Sequence, residues 1–287
     1  MTSAAAPPVT ESMHRPRYEG ANIRTWIGFK HFMYIVEEAV LDWLREHTPG
    51  ARRLYHEHGL GVEIVDCSVL LPSVMEVDDE VRARVTPAGP GRFAVQLHVD
   101  RLVLRGKVTV ALVPEADPPA RLPYSGDLPI ANLDGAGERV ERLPDGFAWS
   151  WRAPYFYCHF SDRVQHSGYV RALEEVVDRF LVDRGISVGR LLAERGWIPV
   201  VSRARVTMLG AAHMEEEIHT TFTVEEILRG SVFDGRMDCF VRRGEEVVRV
   251  ATAKILHGYA LSRGPRAGQI AELDDAVIAA LTGGGPA

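Results

Sequence analysis

The sequence predicts an α+β protein built from two copies of one unit, each a long buried helix followed by four antiparallel strands. Three observations carry that expectation. Apolar residues at Phe29, Phe32, Met33, Val36, Val40, Trp43 and Leu44, and again at Val170, Leu173, Val176, Val177, Phe180 and Leu181, recur at the three-and-four spacing that puts one stripe on one helix face. Each stripe is followed by alternating, β-branched segments: 62–71, 80–86, 93–104 and 107–113 after the first, and 200–208, 216–228, 231–241 and 247–261 after the second. A shift of 137 residues, the step from Glu37 to Glu174, then lays the second half on the first without a gap for about sixty positions. It carries Glu37-Glu38 onto Glu174-Glu175, Val40 onto Val177, Leu44 onto Leu181, and Arg53-Leu54 onto Arg190-Leu191. Further on, Glu57 and Gly59 fall on Glu194 and Gly196, Val69 on Val206, Glu80 on Glu217 and Thr86 on Thr223. Identities spread over helix, turn and strand, with both periodicities in step, indicate a duplicated unit.

In chain order, residues 1–17 are polar, proline-bearing and aperiodic, which predicts a disordered or loosely draped tail. The first unit spans 18–114. Its long helix stops near Pro49-Gly50, a short helical or turn segment follows at 53–59, and Pro-Ala-Gly-Pro-Gly at 87–91 turns a hairpin. Residues 115–149 hold Pro118, Pro119, Pro123, Pro129 and Pro144 among Gly and Asp, the composition of a connector crossing a surface. The second unit spans 150–262, and 263–287 forms a tail with one short helix over 270–281 ahead of Gly283-Gly284-Gly285.

Composition narrows the function. The 287 residues are 46% hydrophobic and 25% charged, an ordinary globular balance. A net charge of −6 argues against a nucleic-acid partner, because phosphate recognition needs a basic field. No apolar run of membrane-spanning length occurs, and residues 1–17 lack the basic-then-apolar layout of a signal peptide, so no membrane partner and a cytoplasmic location are expected. Cys67, Cys158 and Cys239 are odd in number and far apart, which predicts free thiols. His56-Glu57-His58 lacks a third ligand nearby, so no metal is expected. With no G-x-S-x-G, G-x-G-x-x-G or G-x-x-x-x-G-K-[ST], no cofactor is implied.

The polar stretch Phe160-Ser161-Asp162-Arg163-Val164-Gln165-His166-Ser167-Gly168-Tyr169 runs straight into the second helix. It has two readings. Either Asp162 or Ser167 caps the helix, or Asp162, Gln165, His166 and Tyr169 form a reaction site where unpaired amides and the helix dipole favour developing negative charge.

A long apolar helix, preceded by a short strand and followed by four antiparallel strands, resembles the hotdog fold, in which a curled sheet wraps a central helix. The polar stretch resembles the segment before that helix in the 4-hydroxybenzoyl-CoA-thioesterase-like branch, with one Asp and Gln-His-Ser-Gly in place of the longer Asp-x-Asp-x-x-Gly-His run. The resemblance implies two tandem hotdogs pairing inside one chain, and an acyl thioester of coenzyme A or acyl carrier protein as substrate. It also implies two pockets, each where the helix start of one unit meets the sheet of the other, and by analogy a homodimer of such chains.

The two helix starts have diverged: Asp162 aligns with Thr25, Gln165 with Gly28, His166 with Phe29 and Tyr169 with Phe32. For thioester hydrolysis the expected division of labour puts the carbonyl against the amides of Gln165 to Gly168, a contribution of about 3 kcal/mol per donor. Asp162 then acts as nucleophile or base and His166 shares the proton, with Ser167 and Gly168 against the substrate. At the other start, Trp26, Ile27, Phe29 and Phe32 suit packing or an acyl-binding wall, while Lys30, His31 and Tyr34 leave a second polar site open. Glu38 and Glu175 fall opposite the stripe and are expected in solvent, with Glu174 held in reserve as a helix carboxylate. His213, His219 and His257 are expected as surface or strand residues. The rival readings are a dehydratase or conjugate-addition enzyme on 3-hydroxyacyl or α,β-unsaturated thioesters, and a non-catalytic acyl-thioester binding protein.

Overall fold

The computed structural model describes residues 8–115 and 123–283. The expectations for residues 1–7, 116–122 and 284–287 lie outside the described residues. The first unit comprises β1 (Thr10–His14), α1 (Phe29–His47), α2 (Ala51–His58), β2 (Leu60–Leu70), β3 (Val81–Gly89), β4 (Arg92–His98) and β5 (Leu102–Pro114). After β6 (Glu138–Val140) the second unit repeats the order as β7 (Phe147–Arg152), α3 (His166–Asp183), α4 (Val188–Arg195), β8 (Trp197–Met208), β9 (Glu217–Leu228), β10 (Val232–Arg243) and β11 (Glu246–Leu261), and α5 (Asp275–Thr282) follows. Two hotdogs in tandem are therefore present.

Their strands form one sheet in the order β1-β3-β4-β5-β2-β8-β11-β10-β9-β7, with β6 on β11. The join is antiparallel, Asp66–Leu70 against Arg203–Thr207, and Ser68 pairs with Arg205. Since the 137-residue shift maps Ser68 onto that same Arg205, the join is a two-fold axis inside one chain, the internal counterpart of an isologous dimer interface. Both α2 and α4 end on a glycine at φ 67°, Gly59 and Gly196, a left-handed cap that a side chain resists.

Each sheet half wraps its helix. The α1 stripe (Met33, Val36, Ala39, Leu44) and the α3 stripe (Leu173, Val176, Phe180, Leu181) are buried, each large side chain contributing about 1.5–3 kcal/mol. A charged cluster ties the units together beneath the sheet. Arg163, just before α3, is buried against Glu115 at the end of β5 (2.5 Å) and near Glu63 on β2 (3.7 Å), and His159 lies 2.9 Å from the same Glu63.

Several boundaries differ from expectation. Residues 10–14, expected in the draped tail, form β1 because their extended backbone completes the edge of β3. The turn between the third and fourth strands falls at 99–101, not after residue 104, because Val99 N–H closes it on Arg101 O and pairing resumes at Leu102. The connector contributes β6, β7 starts at Phe147, inside the expected linker, and the terminal helix starts at Asp275, whose preceding Asp274 caps it by accepting from Val277 N–H at 2.9 Å. The second unit also has longer final strands: β10 and β11 run 12 and 16 residues against 7 and 13 for β4 and β5. The C-terminal part of β11, with Ile255, His257, Gly258 and Ala260, lines the site described next.

Candidate active site

The two central helices start in equivalent frames. Ile27 N–H donates to Met75 O at 2.9 Å and Gly28 N–H to Gly20 O at 3.0 Å; 137 residues on, Val164 N–H donates to Ala212 O and Gln165 N–H to Tyr157 O, both at 2.8 Å. In each first turn one amide folds back, His31 onto Gly28 O and Gly168 onto Gln165 O. The amides of Phe29 and Lys30 in α1, and of His166 and Ser167 in α3, have no intrahelical acceptor and sit at the positive end of the dipole. Backbone geometry thus gives both starts the same capacity to hold an oxyanion. The side chains decide between them.

At the α3 start, Gln165 is the N-cap and makes no side-chain cap, so neither Asp162 nor Ser167 caps the helix. The expected Asp162–His166 partnership does not form. Asp162 is exposed, with Oδ1 3.2 Å from His213 Nδ1. His166 is buried, with Nδ1 2.9 Å from Glu37 Oε1 on α1 and Nε2 3.3 Å from Val206 O on β8. Both ring nitrogens are occupied, and the imidazole fastens α3 to the other unit. Ser167, Gly168 and Tyr169 are buried beside it, and burial pushes the Tyr169 phenol well above its ordinary range, which removes it from proton transfer near neutrality.

The α1 start opens on a cavity of 970 Å³, and Trp26, Gly28, Phe29 and Lys30 line it. None of the residues from Asp162 to Tyr169 does. Lys30 Nζ forms an ion pair with Glu174 on α3, both half-buried at the cavity wall. Glu174 is Glu37 shifted by 137 residues, so the same glutamate position reaches across to the other helix start in both units, to Lys30 here and to His166 there. Arg171 also lines the cavity, its guanidinium 4.8 Å from the Tyr157 ring centroid and 5.3 Å from that of Tyr34. Much of the remaining wall is apolar, with Phe32, Val177, Leu181, Ile198, Val200 and Ile255, and Asn22, Ser73, Glu175, Asp178, Ser202 and His257 are interspersed. A narrow polar end leading into an apolar chamber suits an acyl chain, whose every buried methylene gains about 0.8 kcal/mol. His31, expected against substrate, lies behind the helix start, buried with its ring 5.2 Å from Tyr34.

Glu37, Arg171, Tyr157 and His257 enter these two loci although clustering of polar residues before a helix does not reveal them. The signal for Glu37 and Glu174 is their recurrence under the repeat shift. His257, expected as a surface or strand residue, is on a strand and buried at the cavity wall.

Burial lowers His31 and His257 to about 4 from an ordinary 6.5. Folded-state values below the unfolded value mean that the unfolded chain binds more protons between pH 6.5 and 4, so the stability these neutral rings contribute is present above pH 6.5 and lost as pH falls toward 4. Thermal unfolding midpoints are expected to drop across that window, and His257→Val is expected to flatten the drop; an unchanged slope in the variant would contradict this assignment.

Residues 149–281 match the family model described as the thioesterase-like superfamily. Among solved structures, the chain overlays the 12:0-ACP thioesterase from Umbellularia californica with a TM-score of 0.62 at 11% identity, over 88% of this chain and 94% of that one. It overlays an acyl-ACP thioesterase from Bacteroides thetaiotaomicron with a TM-score of 0.57 at 9% identity, over 87% and 97%. At such identities the likeness establishes the fold, and it extends over both units. No curated protein matches by sequence. The second unit supplies most of the cavity wall, including Glu174 and Arg171, and the N-terminal unit closes it with residues 22–32 and 71–74. No helix among the described residues is long and apolar enough to cross a membrane.

Proposed function

We propose that the protein hydrolyses acyl thioesters of coenzyme A or acyl carrier protein at the cavity where the α1 start meets the second unit. The observation that carries this reading is the convergence of free helix-start amides, a carboxylate and an apolar chamber at Phe29, Lys30 and Glu174. The fold likeness to thioesterases whose descriptions name acyl-ACP substrates supports the substrate class.

The chemistry runs as follows. The thioester carbonyl oxygen accepts from the Phe29 and Lys30 amides, and the acyl chain lies between α3 and its sheet. Glu174 takes a proton from water as the water oxygen bonds to the carbonyl carbon, and the two amides hold the resulting oxyanion. The C–S bond then breaks as the carbonyl re-forms, the sulfur leaves with a proton returned through Glu174, and a carboxylic acid and a free thiol result. The Lys30 ammonium, paired with Glu174, holds the carboxylate at the cavity wall beside these amides.

The test is incubation with saturated, 2-enoyl and 3-hydroxyacyl thioesters of coenzyme A, with mass spectrometry of both halves. Free thiol and carboxylic acid from saturated chains are expected. Gain or loss of water with the thioester intact would assign the site to a lyase, and unaltered substrate throughout would assign it to a binding protein.

A further inference from the structure

One group at the cavity wall has no part in hydrolysis. His257 on β11 is 4% exposed, and among the described residues neither ring nitrogen has a hydrogen-bond partner, Nδ1 being fully enclosed. Buried polar atoms are nearly always paired, so an unpaired imidazole in an apolar chamber points to a partner that arrives from outside. The fold does not require it. In the register where Val201 pairs with His257, the first unit pairs Ile64, the residue equivalent to Val201, with Val110, which is fully buried. The ring is also held in place, its centroid 4.8 Å from that of Phe233 and 5.3 Å from that of Tyr259.

We propose that His257 is a specificity-determining residue that hydrogen-bonds an oxygen carried on the acyl chain, so that the cavity favours hydroxy- or oxo-acyl thioesters over plain saturated ones. This rests on the acyl-thioester reading of the cavity. Burial keeps the ring neutral near pH 7, and with Nδ1 enclosed the ring meets the chain through Nε2, which by tautomer offers an N–H to a ketone or a hydroxyl, or a lone pair to a hydroxyl. A second carboxylate on the chain is a poor match, because the same desolvation opposes an ionised group.

The experiment compares tetradecanoyl-CoA with a series of hydroxy- and oxo-tetradecanoyl-CoA isomers, oxygen placed at successive carbons, on wild type, His257→Val and His257→Gln. Wild type is expected to favour at least one oxygenated isomer by tenfold or more in kcat/KM, the effect of one enclosed hydrogen bond. His257→Val is expected to erase that preference and His257→Gln to keep part of it; the glutamine variant also serves if valine impairs folding, which thermal unfolding reports. The same chains presented as non-hydrolysable thioethers are titrated by calorimetry. If nothing is hydrolysed, the hydrolase reading fails while the affinity ratio and its loss in His257→Val still decide the role of His257. Equal handling of all isomers by wild type, or a preference that survives in His257→Val, overturns the proposal.

Discussion

Glu174→Gln is expected to lower kcat for thioester cleavage by about 10²–10⁴-fold with little change in KM, the range for removal of a positioned base. Glutamine preserves the size and the hydrogen-bonding reach of the side chain, so chain binding between α3 and its sheet is left intact. What is lost is the proton acceptor beside the Phe29 and Lys30 amides. Lys30→Met, which removes the cation that holds Glu174 at the cavity wall and leaves the carboxylate in place, is expected to lower kcat less than Glu174→Gln does. Steady-state kinetics across pH 5–9 on both variants separates the two roles. A Glu174→Gln enzyme within about threefold of wild type would remove the carboxylate from the chemistry.

The second large effect concerns stability. Arg163→Ala is expected to destabilise the fold by about 3–5 kcal/mol, because it leaves the buried carboxylates of Glu63 and Glu115 without their guanidinium. The loss reaches beyond one unit, since Arg163 leads into α3 while Glu63 lies on β2 and Glu115 directly follows β5. Urea unfolding followed by far-ultraviolet circular dichroism and by tryptophan fluorescence checks it. A shift of less than about 1 kcal/mol would mean that the hydrophobic core alone holds the units together.

The duplication was fully legible in the sequence because residues that build equivalent frames recur at a fixed step. The same step that aligns Glu37 with Glu174 turns out to relate the backbone bonds of Ile27 and Val164, the caps Gly59 and Gly196, and the pairing of Ser68 with Arg205. The choice of site was less legible. Polar residues gathered before α3 give a strong pattern, yet pattern does not say where a side chain points: Asp162 turns to His213, and His166 spends both ring nitrogens on Glu37 and Val206. Trp26, Ile27 and Phe29, apolar in the sequence, line the cavity, and Lys30 and Glu174 lie at its wall. Their contact joins residues 144 apart and depends on how two helices cross, which local sequence does not encode. The cavity itself is lined by residues of both units, from Asn22 to Ile270, which only the folded chain brings together. Alternation along Ile255, His257 and Tyr259 places all three on one strand face, so the inward direction of His257 could be read, though not the space in front of it.

The central claim is that the open α1 start, not the polar α3 start, carries the chemistry. Free-thiol release from dodecanoyl-CoA by wild type, Glu174→Gln and Asp162→Asn, measured side by side, tests it most directly. The account predicts that wild type and Asp162→Asn release thiol at similar rates while Glu174→Gln is nearly silent. Release that survives in Glu174→Gln and collapses in Asp162→Asn would contradict it and return the active site to the start of α3.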